Sequence, residues 1–288
     1  MQDAAARKRD QFLQTLKRRP AVMGVLNVTP DSFSDGGRFN DFGAALAQAR
    51  RLAAEGCDIL DIGGESTRPG ATPVSAADEL ARIEPVVAAL AGALEVPLSI
   101  DTSKAQVAKR AIELGAVLVN DVWGLQRDPA MADTIAASSA AVVIMHNRAA
   151  TDETLDIISD IRGFFARSLK IAAAAGIPRA HILLDPGIGF AKSSRQNRDA
   201  VARLCELTDW GLPLMVGVSR KGFLGSLGTE GGEGTLVGTL AANLAAAAAG
   251  ASVFRVHDVA AHVTALSVFH TIRAGSALSD RNRSDPRR

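Results

Sequence analysis

The chain alternates between short apolar pulses of strand length and alanine-rich segments of helical period, and it does so eight times. The pulses are Ala21 to Val28, Cys57 to Ile62, Val96 to Asp101, Ala116 to Asp121, Ala141 to Met145, His181 to Asp185, Pro213 to Val218 and Ser252 to Val256. Each is apolar throughout rather than alternating, the pattern of a strand covered on both faces. Between them run segments such as Phe42 to Ala54, Ala76 to Leu90, Lys104 to Leu114 and Ile157 to Ala175. Gly56, Gly115 and Gly176 fall where helix C-termini want them. Eight strand–helix units without an interrupting linker predict a (β/α)8 TIM barrel, and 288 residues suit one such domain of roughly 250 residues plus tails. A doubly wound open sheet is the structural alternative.

The expected organisation is an N-terminal extension over residues 1–20, a barrel over 21–274 and a polar, disordered tail over 275–288. The first segment, MQDAAARKRDQFLQTLKRR, is basic but has no apolar run of signal-peptide length. Asp3 and Asp10 argue against a transit segment, and a short helix laid over the barrel bottom is expected. No stretch reads as a membrane span. With 32 Lys and Arg against 31 Asp and Glu, the net charge of +1 gives no footprint for nucleic acid or an anionic membrane. Cys57 and Cys205 match no metal spacing and read as two buried, reduced thiols, which points to a cytoplasmic protein.

In a barrel, chemistry gathers in the loops that follow the strands. Read in order, those positions are Asn27, Asp61 with Gly63-Gly64-Glu65-Ser66-Thr67-Arg68-Pro69, Asp101, Asn120 and Asp121. They continue with His146, Asp185, Ser219-Arg220-Lys221, and Arg255 with His257. One such polar residue would be a satisfied structural group; eight strand ends converging on one face make a site. Asp101, Asn120 and Asp185 suit a flat heterocycle that presents several N–H donors along one edge. Arg68, Arg255 and His257, with the Asn27 loop, form a cationic arc suited to a phosphate or diphosphate. Lys221 is expected close to both groups.

Seven segments carry a family resemblance: NVTPDSFSDGG from Asn27, DIGGESTRPGA from Asp61, SIDT from Ser99, VNDVWG from Val119, DPGIGF from Asp185, GVSRKGFLG from Gly217 and RVHDV from Arg255. Together, and in this order, they resemble the dihydropteroate synthase family over nearly the whole chain. The resemblance implies condensation of 6-hydroxymethyl-7,8-dihydropterin diphosphate with 4-aminobenzoate, assisted by Mg²⁺. It implies that Asp101, Asn120 and Asp185, with Lys221, hold the pterin, over a wall formed by Met145. Asn27 would serve the metal and diphosphate, and Arg255 and His257 the diphosphate oxygens. Thr67, Arg68 and Pro69 would lie on a mobile loop, with Phe33 on another; Phe190, Ser219 and Lys221 would shape the aminobenzoate pocket. Asp101, Lys221 and Arg255 are the residues it marks as catalytic. It further implies sensitivity to sulfonamides and a homodimer through late helices near Val237 to Ala249.

The chemistry is consistent with these residue types. Diphosphate leaves readily once its charge is offset, and an aromatic amine is already neutral at pH 7, so no Ser-His-Asp or Cys-His arrangement is required. His146 reads either as a satisfied structural histidine or as a contact. The chain departs from the common family pattern at Gly222, where a serine often follows the SRK lysine, and at Ala191-Lys192-Ser193. Three alternatives fit the pattern less well: a pterin methyltransferase barrel, which has no need of Arg68, Arg255 and the SRK segment; a non-catalytic pterin-binding paralogue, which would be expected to lose loop or phosphate residues; and a phosphate-binding barrel aldolase, which wants a Schiff-base lysine within a strand, whereas Lys221 lies in a loop beside Arg220.

Overall fold

The computed structural model describes residues 2–29, 38–66, 72–227 and 232–283. Eight parallel strands form the centre: β1 (Ala21–Asn27), β2 (Ile59–Gly63), β3 (Leu98–Asp101), β4 (Leu118–Asp121), β5 (Ala141–Met145), β6 (Ile182–Asp185), β7 (Met215–Val216) and β8 (Val253–Val256). They pair in the order β6-β5-β4-β3-β2-β1-β8-β7. A parallel bridge between Leu184 and Leu214, with Leu184 N–H donating to Pro213 O at 2.9 Å, brings β6 against β7 and closes the (β/α)8 barrel. The strand–helix reading is borne out, with strands a few residues shorter than the apolar pulses. His181 belongs to a 3-10 turn ahead of β6.

Outside the strands lie α2 (Arg38–Ala54), α3 (Ala76–Ala91), α4 (Ala105–Glu113), α5 (Met131–Ser138), α6 (Ile157–Ala175), α7 (Ser194–Ala202), α8 (Gly232–Ala248) and α9 (Val259–Arg283). Local chemistry sets their ends. Asp156 caps α6 by accepting from Ser159 N–H at 2.9 Å, and Gly176 closes it at φ +84°. α9 continues past Gly275 to Arg283, where composition predicts a disordered tail: a helix already docked on the barrel propagates at small cost per residue. Among the described residues no helix is long and apolar enough to cross a membrane.

The strands are less uniform than their apolar character suggests, because alternate residues face different layers. Val22, Leu26, Leu60, Ile62, Ile100 and Val142 pack outward against the helices. Met23, Ile59, Leu118, Val143, Leu183, Met215 and Val253 fill the lower barrel interior. An additional helix, α1 (Gln2–Leu16), closes the bottom, as expected from the sequence: Phe12, 3% exposed, joins that interior cluster. Lys8 Nζ ties α1 to Leu94 O at 2.6 Å. Above this apolar floor the inward positions turn polar.

Candidate active site

Strand register builds the site. Asn27 pairs with Gly63, Gly63 with Asp101, and Asp101 with Asn120, so four strand ends form one row. Gly63 contributes no side chain to that row. A Cβ there would lie 3.6 Å from both Asn27 Oδ1 and Asp101 Cβ, so the two polar groups approach across the gap it leaves.

Two residues earlier on β2, Asp61 is fully buried. It accepts from Ser99 Oγ at 2.6 Å, Asn120 Nδ2 at 3.0 Å and Arg255 Nε at 2.7 Å. Arg255 Nη2 donates to Asp101 Oδ2 at 2.7 Å. One guanidinium thus lies between two carboxylates, and the assembly retains acceptor capacity. Asp101 Oδ1 and Asn120 Oδ1 are buried and have no hydrogen-bond partner among the described residues. Such acceptors cost roughly 1–3 kcal/mol each until a donor reaches them. Burial pushes the Asp101 carboxyl up to about 7, against the pull of Arg255.

Asp185, at the end of β6 and in register with Met145, accepts from Gly187 N–H at 2.7 Å. Burial raises its carboxyl, while that hydrogen bond and the Lys221 and Lys192 charges lower it. Lys221 Nζ donates to Ile188 O and sits 4.4 Å from the Phe190 ring centroid. Burial brings the Lys221 ammonium down to about 8, opposed by Asp185. Ser219 Oγ and His257 Nδ1 are 3.0 Å apart on the far side.

The sequence-derived residues Asn27, Asp101, Asn120, Met145, Asp185, Phe190, Ser219, Lys221, Arg255 and His257 line a single cavity of about 790 Å³. Thr67, Arg68 and Pro69, with Phe33, lie outside the described residues. The cationic arc takes a different form from the one expected, because Arg255 is turned inward onto Asp61 and Asp101. Arg220 pairs outward with Asp258 at 2.7 Å. Asp121 serves its own turn, accepting from Trp123 N–H at 2.9 Å and Leu125 N–H at 2.7 Å.

His146 takes the structural alternative. It is fully buried, with Nε2 2.8 Å from Asp160 Oδ2 and Nδ1 2.8 Å from Lys192 Nζ. Burial drives the imidazole down to about 4, although Asp160 pulls it upward. Sequence reasoning gave no individual role to Asp61, which it placed among the strand ends, nor to Ser99 or Lys192. The first two stand two residues before Gly63 and Asp101, so strand periodicity could have placed them on the same inward face. No local pattern marks Lys192 as buried.

Fold and site together define a barrel protein that takes a flat, donor-rich small molecule at the C-terminal ends of its strands. Residues 23–257 match the pterin binding enzyme family. A Bacillus subtilis dihydropteroate synthase is 42% identical over 243 residues, spanning 84% of this chain and 85% of that protein. A Clostridium difficile dihydropteroate synthase solved in the presence of pteroic acid superposes with a TM-score of 0.86 at 44% identity, covering 88% of this chain and 97% of the other. A Xanthomonas albilineans dihydropteroate synthase in complex with 7,8-dihydropteroate gives 0.80 at 39% identity, covering 89% and 94%. The chain belongs to the pterin-binding enzymes, within the dihydropteroate synthase family.

Proposed function

We infer that this chain is a transferase of folate biosynthesis, joining 4-aminobenzoate to 6-hydroxymethyl-7,8-dihydropterin diphosphate to give 7,8-dihydropteroate and diphosphate. The observation that carries the reading is the Asp61–Arg255–Asp101 assembly, with its free buried acceptors on Asp101 and Asn120, in a chain of this family. A pterin edge supplies the donors those acceptors require. The aminobenzoate nitrogen attacks the pterin methylene carbon, the C–O bond breaks, and diphosphate departs with the bonding pair. The amine proton leaves to solvent or diphosphate.

Asp101, Asn120 and Asp185 would orient the pterin, and the Asp101 carboxylate favours positive charge developing on the ring as the C–O bond lengthens. The Arg255 guanidinium lies between Asp61 and Asp101, opposes the burial that raises the Asp101 carboxyl, and would meet the diphosphate together with His257. Phe190 and Lys221 would wall the aminobenzoate.

The donor set fits Mg²⁺ in one respect: Asn27 offers a hard amide oxygen in the cavity wall beside Asp101. Among the described residues no group of three or more His, Cys, Asp or Glu side chains is placed to hold a metal. That suits an ion that keeps its waters and shares phosphate oxygens, with Asn27 its protein ligand. When bound, it would offset the charge accumulating on the leaving diphosphate.

Three further readings belong here. A homodimer through α8 and α9 is supported by Val237, Val268 and Ile272, which are 63%, 54% and 67% exposed. Cytoplasmic residence is supported by two free cysteines: Cys57 is buried, while Cys205, expected to be buried as well, is exposed on the 3-10 turn after α7. Sulfonamides, as aminobenzoate mimics, would compete at the Phe190–Lys221 wall. The test of the function is incubation with the pterin diphosphate, Mg²⁺ and 4-aminobenzoate. Diphosphate and dihydropteroate appearing in equal amounts is expected; pterin binding without aminobenzoate-dependent product would assign a binding paralogue instead.

A further inference from the structure

The segment from Asp185 to Lys192 carries two groups of the pocket, the Ile188 carbonyl that accepts from Lys221 and the Phe190 ring beneath it. Its backbone is not relaxed. Gly187 has φ +65°, and a Cβ there would come within 1.9 Å of His146 O, so the chain crosses the tip of β5 at closest approach. Ala191 is held at φ +41°, a left-handed conformation that the Cβ of an L-residue disfavours. A segment in this state needs something to hold it.

Lys192 is placed to do so. Only 8% exposed, its Nζ reaches three acceptors: Gly187 O at 2.8 Å, Phe190 O at 3.2 Å and His146 Nδ1 at 2.8 Å. Burial lowers the ammonium to about 7, opposed by Asp185, and the segment folds back over the side chain of the lysine that ends it. An accepting Nδ1 leaves the proton on Nε2, which donates to Asp160 on α6. Arg148 reinforces the same carboxylate at 3.4 Å and donates to Ala191 O at 3.1 Å. Asn197 on α7 accepts from Gly189 N–H at 2.6 Å, and a capping box between Ser193 and Gln196 fixes where α7 begins. The ammonium therefore links the pocket wall to β5 and α6 through a continuous buried chain.

We propose that Lys192 is a positioning residue for the aminobenzoate half of the site, holding the Gly187-to-Ala191 segment so that Ile188 O and Phe190 set the place of Lys221. This rests on the reading of the pocket as a dihydropteroate synthase site. Lys192 acts through the wall; it touches the pterin side only through Asp185 and Lys221, while the strand-end row of Asp101 and Asn120 lies apart from it. Its loss should therefore weigh more on aminobenzoate than on the pterin.

The test compares wild type, Lys192→Met and Lys192→Gln, each verified as folded by its circular dichroism spectrum and a cooperative melt. Lys192→Met should raise KM for 4-aminobenzoate at least tenfold. The Kd for the pterin diphosphate, measured without aminobenzoate, should weaken by no more than about threefold, through Asp185 and Lys221. Lys192→Gln, which retains two N–H donors, should fall between, and it carries the test alone if Lys192→Met does not fold. An unchanged aminobenzoate KM in a folded variant overturns the proposal, as does an equal loss for both substrates or a lowered Tm with unaltered kinetics. Failure of both variants to fold also overturns it, since the role would then be structural. A wild type that makes no dihydropteroate removes the functional reading and this proposal with it; wild-type turnover with unaffected variants removes the proposal alone.

Discussion

Arg255 Nη2 donates to Asp101 Oδ2 at 2.7 Å while Asp101 Oδ1 is buried with no partner among the described residues, so the carboxylate is anchored by one oxygen and open at the other. That division lets one side chain belong to the scaffold and the site at once. Orientation is fixed before a ligand arrives, and the second oxygen is aimed where donors are wanted. Preorganisation of this kind removes reorganisation from the reaction step.

Asp61 supports that arrangement from below. Asp61→Asn removes a buried charge from beneath Arg255 while leaving the shape almost unchanged. Breaking one side of a buried pair costs about 3–5 kcal/mol. A fall in unfolding free energy of that order in urea melts is expected, with weakened pterin binding. A variant as stable as wild type would show that Asp101 alone suffices for Arg255.

His146 makes stability depend on acid. Its imidazole is held down to about 4 when folded, against about 6.5 in an unfolded chain. Between those values the unfolded chain binds the extra proton and the folded one does not. The contribution is therefore complete above pH 6.5 and lost as pH falls through 4, on the order of 3 kcal/mol in all. The Tm of wild type should drop across this window. His146→Gln, which can still accept from Lys192 and donate to Asp160, should show a shallower drop; equal slopes would exclude His146 as the cause.

Gly222 lines the cavity, and a Cβ there would meet nothing within 4 Å. The serine common at this position in the family therefore fits without displacing a neighbour. Gly222→Ser should lower KM for 4-aminobenzoate several-fold, about 1 kcal/mol for one added hydrogen bond. Steady-state kinetics with the pterin diphosphate saturating would show it, and an unchanged KM would place the carboxylate elsewhere.

Much of this was legible in the sequence because barrels print their architecture as repetition. Apolar pulses set the strands, and polar residues at their C-terminal ends marked the cavity wall before any coordinates. Less legible was where each polar group points. Arg255 reads as a free cation on the rim, yet register places it beside Met23, low enough to reach Asp61. Its pairing depends on the stagger between β8, β2 and β3, which no local pattern encodes. Lys192 escaped for a related reason: its three acceptors come partly from its own loop and partly from β5, and only the closed barrel brings them together. Phe12 was foreseen only as part of a covering helix, since one aromatic in a polar segment does not reveal its insertion into the barrel floor.

The central claim is that the free oxygen of Asp101, as a carboxylate, receives the pterin. Calorimetric titration of 7,8-dihydropterin diphosphate between pH 6 and 8, in wild type and Asp101→Asn, tests it most directly. With the Asp101 carboxyl raised to about 7 by burial, its ionised form predominates only above that pH. Wild-type affinity should level off near pH 8 and weaken below neutrality, approaching about tenfold per pH unit. Asp101→Asn should bind on the order of 100-fold more weakly, in the range of a lost charge-assisted hydrogen bond, and without that dependence. Wild-type affinity that ignores pH, or an Asp101→Asn variant that binds as tightly as wild type, would contradict the account.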